Sequence, residues 1–69
     1  MMRRIMYKGL RKHVGEYVFV DGREGYLREI DREFWLGPLS PNSDPTYRIK
    51  KGDKIRYNGS NRIGEFGGY

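Results

Sequence analysis

The sequence predicts a mainly β fold, a small five-stranded antiparallel barrel preceded by a short N-terminal helix. Three observations carry that prediction. From residue 15 onward, short β-branched and aromatic runs alternate with turn dipeptides. One Trp, six Tyr and three Phe in 69 residues are more aromatics than disordered chains carry. A chain this short, with no cysteine to staple it, gains from closing its sheet, because closure removes exposed edges.

Three segments follow: a basic N-terminal segment over 1–14, the barrel over 15–58 and a Gly-rich tail over 59–69. Met2, Ile5, Met6, Leu10 and Val14 recur at spacings of three and four, which suits one apolar stripe on a helix. Gly9 interrupts the stripe, and a first strand through Ile5-Met6-Tyr7 is the competing reading. EYVFV (16–20) reads as a strand closed by Asp21-Gly22, a hairpin dipeptide. GYLREI (25–30) and FWLG (34–37) continue a meander through a turn near Asp31-Arg32. PLSPNSDP (38–45) holds all three prolines and must be a loop. TYRI (46–49) and KIRYN (54–58) complete the count as a hairpin across Lys50 to Asp53. GSNRIGEFGGY carries four of the ten glycines and reads as loosely held.

Charge is unevenly placed. Residues 1–14 hold five cations and no acid, 15–45 three cations and seven acids, and 46–69 six cations and two acids. Basic ends therefore flank an acidic middle. Alternation puts Tyr47, Ile49, Ile55 and Tyr57 on one face of the last hairpin and Arg48, Lys50, Lys54 and Arg56 on the other. Four like charges in a row repel one another, and phosphates would relieve that repulsion. A solvated sheet edge, where lysines discourage aggregation, is the plainer account.

Catalysis has little to build on, and no enzyme, cofactor or metal site is expected. His13, the one histidine, sits in RKHV without an acidic neighbour to orient it as a base. No carboxylate cluster has metal-ligand spacing, and GEFGGY lacks the strand and lysine of a phosphate loop. Binding is better served. Arg48, Lys50, Lys51, Lys54 and Arg56 are candidates for phosphate contacts, helped by Arg3, Arg4, Lys8, Arg11 and Lys12. Trp35 points outward by alternation and, with Tyr17, would stack on unpaired bases. A helix covering Tyr17 and Phe19 would instead make them core.

Two motifs carry a family resemblance. Gly15-x-x-Val18-x-Val20 with Gly22, Gly25, Leu27 and Ile30-Asp31, followed by Lys51-Gly52-Asp53-Lys54-Ile55, resembles small barrels of the Sm-like and KOW-like, Src-homology-3-type class over about residues 15–58. The resemblance implies the barrel. Sm proteins that bind uridines in their pore place an Asn shortly after the Asp of the first motif. Here Arg32-Glu33-Phe34-Trp35 follows Asp31, so the pore site is not carried over.

The expected function is nucleic-acid binding, to RNA or single-stranded DNA. The alternative is a protein-interaction or assembly module docking on a larger complex, and a ring-forming homo-oligomer lies between the two. No apolar run reaches the length of a signal peptide or a membrane span, so a cytoplasmic protein without membrane contact is expected.

Overall fold

The computed structural model describes residues 10–40 and 42–69, together with the backbone path of 5–7. The sheet is built from β1 (Ile5–Tyr7), β2 (Tyr17–Val20), β3 (Arg23–Ile30), β4 (Glu33–Gly37), β5 (Tyr47–Arg48), β6 (Lys54–Tyr57) and β7 (Gly64–Phe66). They lie in the order β1-β7-β6-β2-β3-β4-β5. Six strands, β2 to β7, are joined antiparallel and curl into a half-barrel, and β1 adds to β7 in parallel.

The mainly β prediction holds, but the five-strand count and the N-terminal helix do not. Ile5–Tyr7 form a strand, and Arg11–His13 make a single 3₁₀ turn. The 3₁₀ turn forms because Leu10 is drawn fully into the core while Gly15, at φ 93°, redirects the chain into β2. The Gly-rich end is likewise more ordered than its composition suggests. Gly64–Phe66 pairs with both β6 and β1, and Phe66 is buried.

The central meander follows local chemistry. Asp21 (φ 48°) and Gly22 (φ 81°) both adopt the left-handed region that a tight hairpin between Val20 and Arg23 needs. The next turn uses the same geometry with Asp31 (φ 50°) and Arg32 (φ 67°), although neither is glycine. β3 spans eight residues, pairing its first half with β2 and its second with β4, so one strand carries the curl.

Alternation then sorts the side chains. Val18, Val20, Leu27, Phe34, Leu36, Ile49, Ile55, Tyr57 and Phe66 face inward with Leu10 and form one core, against which Tyr47 packs. Phe34, Phe66 and Tyr69 close one side of it as an aromatic trio, with centroids 5.0–6.0 Å apart.

The expected hairpin between residues 46–49 and 54–58 is not one. β5 pairs only with β4, at one edge of the sheet, while β6 lies between β2 and β7. The Lys50–Asp53 turn therefore carries the chain across the open side of the half-barrel. Asp53 holds the turn: its Oδ2 accepts the Lys50 amide N–H at 2.9 Å and the Tyr47 hydroxyl at 2.6 Å. Burial pushes the Asp53 carboxyl up. The bonds from Tyr47 and Lys50, a contact with Asp21 and the Lys50 charge outweigh burial and leave it below its ordinary value.

Candidate nucleic-acid interface

The outer face of the sheet carries the chemistry. Where β3, β4 and β5 lie side by side, register places Arg28, Trp35 and Arg48 in one cross-strand row. On β6, β2 and β3 it places Arg56 beside Phe19 and Phe19 beside Glu24, with Tyr17 opposite Tyr26 one step along. The Arg56 guanidinium lies 4.2 Å from the Phe19 ring centroid and donates to the Ser60 carbonyl at 3.1 Å. Tyr17 meets Phe19 and Tyr26 edge to face, at 5.6 and 5.2 Å. Burial, and then the nearby Glu24, push the Tyr17 phenol above its ordinary pKa.

The four cations expected in one row divide among three places, because β5 and β6 are not partners. Arg48 gives its Nε to Glu33 at 2.7 Å and lies 4.9 Å from the Tyr69 ring. Lys50 stays exposed at the open end, with its ammonium 5.7 Å from the Tyr47 ring, over which Arg23 also lies at 4.2 Å. Lys54 approaches Glu65 at 3.8 Å and shares the outer face of β6 with Arg56. Lys51 is exposed at the turn.

Trp35 is half-buried on the outer face, and its indole Nε1 is shielded without a hydrogen-bond partner among the described residues. The loop after β4 folds back beside this strand. It returns over Gly37, where a Cβ would lie 3.0 Å from the Pro45 Cα, and Ser43 accepts Arg28 at 2.7 Å. Tyr17 is half-buried within its aromatic row, and no helix covers it among the described residues.

Of the N-terminal cations, Arg3, Arg4 and Lys8 lie outside the described residues. Arg11 is exposed and bonds Glu29 at 2.9 Å, and Lys12 is exposed.

Several members of the site were not singled out from the sequence. Tyr26 and Arg28 join the outer face through cross-strand register, which a linear reading does not supply, whereas alternation had already paired Phe19 with Tyr17 on one face. His13 does have an acidic neighbour: its Nδ1 lies 2.9 Å from Glu16, one 3₁₀ turn on, and its ring stacks on Tyr57 at 3.9 Å. The three-residue spacing of His13 and Glu16 was the available signal. Among the described residues, no three His, Cys, Asp or Glu side chains converge as a metal site requires, and no helix is long and apolar enough to cross a membrane.

No protein-family model, curated protein or solved structure matches the chain. The fold is a small, curled, mainly antiparallel β half-barrel, a shape compatible with small β-barrels in general.

Proposed function

We propose that this protein binds single-stranded nucleic acid, RNA or DNA, on the outer face of β2, β3 and β6, as a barrel of the Sm-like or KOW-like kind. The observation that carries the reading is the Arg56 guanidinium set 4.2 Å over Phe19, beside the edge-to-face pair Tyr17 and Tyr26. A planar cation fixed on an aromatic ring offers a stacking surface for bases and a charge for phosphate together. Lys54 stands next to it, and the exposed Lys50 and Lys51 extend the positive surface toward the open end.

The test is a salt titration of binding to an oligouridine and a mixed-sequence DNA oligomer, read by fluorescence anisotropy. Binding at low salt that weakens log-linearly with added salt supports the proposal. No binding at low salt, or an affinity indifferent to salt, overturns it.

A protein partner is the second reading. Leu39 and Ile63, both 60% exposed, favour it, since large apolar side chains in water suit a protein interface. Pull-down with and without nuclease separates the two, because a protein contact survives removal of nucleic acid.

A further inference from the structure

After β6 the chain turns back toward the outer face of the sheet. Gly59 takes φ 84°, the Ser60 amide donates to the Tyr57 carbonyl at 3.0 Å, and the Ser60 hydroxyl accepts the Arg62 amide at 3.1 Å. The Arg56 guanidinium ties this segment down through the Ser60 carbonyl. Ile63 follows and, with Phe19, Asp21, Gly22, Lys54 and Arg56, lines an open concavity of about 220 Å³. That lies below the roughly 300–1,000 Å³ of drug-sized ligand sites, so it suits one ring system and not an extended ligand.

The geometry points to a slot for one unpaired base of any identity, with Ile63 as the wall that completes it, an inference that rests on the nucleic-acid reading above. Ile63 is 60% exposed, so its apolar surface meets water until something covers it. The same space is bordered by Arg56, whose guanidinium lies 4.2 Å from the Phe19 ring centroid. Arginine planes and apolar side chains both stack on base planes, and neither tells one base from another. The Asp21 carboxylate is taken up by the Lys54 amide and a contact with Asp53, so it walls the slot and reads no base edge. Charge separates a nucleotide from a bare aromatic ring. Lys54 and Arg56 border the concavity as well, and a ring that carries a phosphate engages them together with Ile63 and Phe19. Bases inside a duplex are already stacked on both sides, so the slot takes one from a single strand.

The experiment uses a deoxyadenosine nonamer and an abasic nonamer with the same number of phosphates, and protein carrying isotope-labelled isoleucine δ1 methyl groups. The Ile63 resonance is the one missing from Ile63→Ala. At low salt the deoxyadenosine nonamer should move it upfield through the ring current of the inserted base, and the abasic nonamer should leave it in place. By fluorescence anisotropy, Ile63→Ala should bind the deoxyadenosine nonamer about fivefold more weakly, the lower end of what one stacked base contributes. Its affinity for the abasic nonamer and its salt slope should match the parent, because no charge is lost. The methyl shift is read on the unaltered protein, so it does not depend on how well the variant folds. Salt-dependent binding that leaves the Ile63 methyl unmoved overturns the slot and leaves the nucleic-acid reading standing. An equal loss of affinity for both nonamers in Ile63→Ala also overturns it, since Ile63 would then act on the fold. Absence of binding to either nonamer by the parent removes the nucleic-acid reading and the slot with it.

Discussion

The Tyr69 hydroxyl accepts the Phe34 amide N–H at 2.7 Å and lies 2.8 Å from the Ile49 carbonyl, to which it donates. Among the described residues no strand ladder joins the β7 side of the curled sheet to the β4–β5 side, and this side chain bridges the seam. Its ring stacks on Phe34 and meets Phe66 edge to face. Tyr69→Phe keeps the ring contacts and removes the acceptor of a part-buried N–H, which should cost about 1–2 kcal/mol. Urea denaturation followed by circular dichroism measures it. A variant with unchanged midpoint and slope would mean that water replaces the hydroxyl and that the bridge contributes nothing.

Asp53 ties acid stability to the crossing turn. Its folded pKa is lowered, so its contribution is fully present above the unfolded value of about 3.9 and is lost as pH falls through the folded value. Asp53→Asn keeps an acceptor for Tyr47 and Lys50 but cannot titrate. The variant should be less stable than the parent near neutral pH, by roughly 1–2 kcal/mol, as expected for weakened bonds to a charged acceptor. The gap should narrow as pH drops below about 4. Urea midpoints of both proteins across that range give the comparison, and a gap constant with pH rules out the linkage.

How far the sequence foretold this arrangement depends on what decides each feature. Asp21-Gly22 and the alternation of Val18, Val20, Leu27 and Leu36 are local, and local rules placed the meander and its inward face correctly. Alternation also identified Ile49, Ile55 and Tyr57 as inward-facing. What it cannot name is a strand's partner. Residues 46–49 and 54–58 look like a hairpin because they are near in sequence, yet the curl of the sheet seats them on different neighbours. The cation row was lost with the hairpin. Phe66 and Tyr69 were hidden by the glycines around them, although two aromatics in such a segment were the sign of a docked end. At the N-terminus, spacings of three and four arise equally in a chain that forms one strand and then drops Leu10 into the core.

The second hairpin turn stores backbone strain. Arg32 sits at φ 67°, a left-handed conformation that costs a non-glycine residue about 1–2 kcal/mol. Glycine there removes that cost and adds about 0.5–1 kcal/mol of unfolded-state entropy to be overcome. The side chain of Arg32 is exposed, so little packing is lost. Arg32→Gly should therefore stabilise the protein by up to about 1 kcal/mol, seen as a higher urea midpoint. Destabilisation would show that the Arg32 side chain makes a contact worth more than the strain.

Arg56 is the residue whose replacement tests the proposed surface most directly. Reversing Lys54 would set two acids side by side at Glu65 and confuse binding with stability, whereas Arg56 has no carboxylate partner among the described residues. Arg56→Ala removes a charge and a stacking plane together. Affinity for an oligouridine should fall about tenfold, in line with the loss of one stacked base. The slope of log affinity against log salt should shrink by about 0.7, the share of one single-strand phosphate. Arg56→Lys separates the two contributions: it keeps the charge, so the salt slope should match the parent, while affinity still falls through loss of the flat guanidinium. Because Arg56 also covers Phe19, thermal melts of both variants must show them folded at the assay temperature. If both are folded and both bind like the parent, the nucleic acid does not lie across β2 and β6.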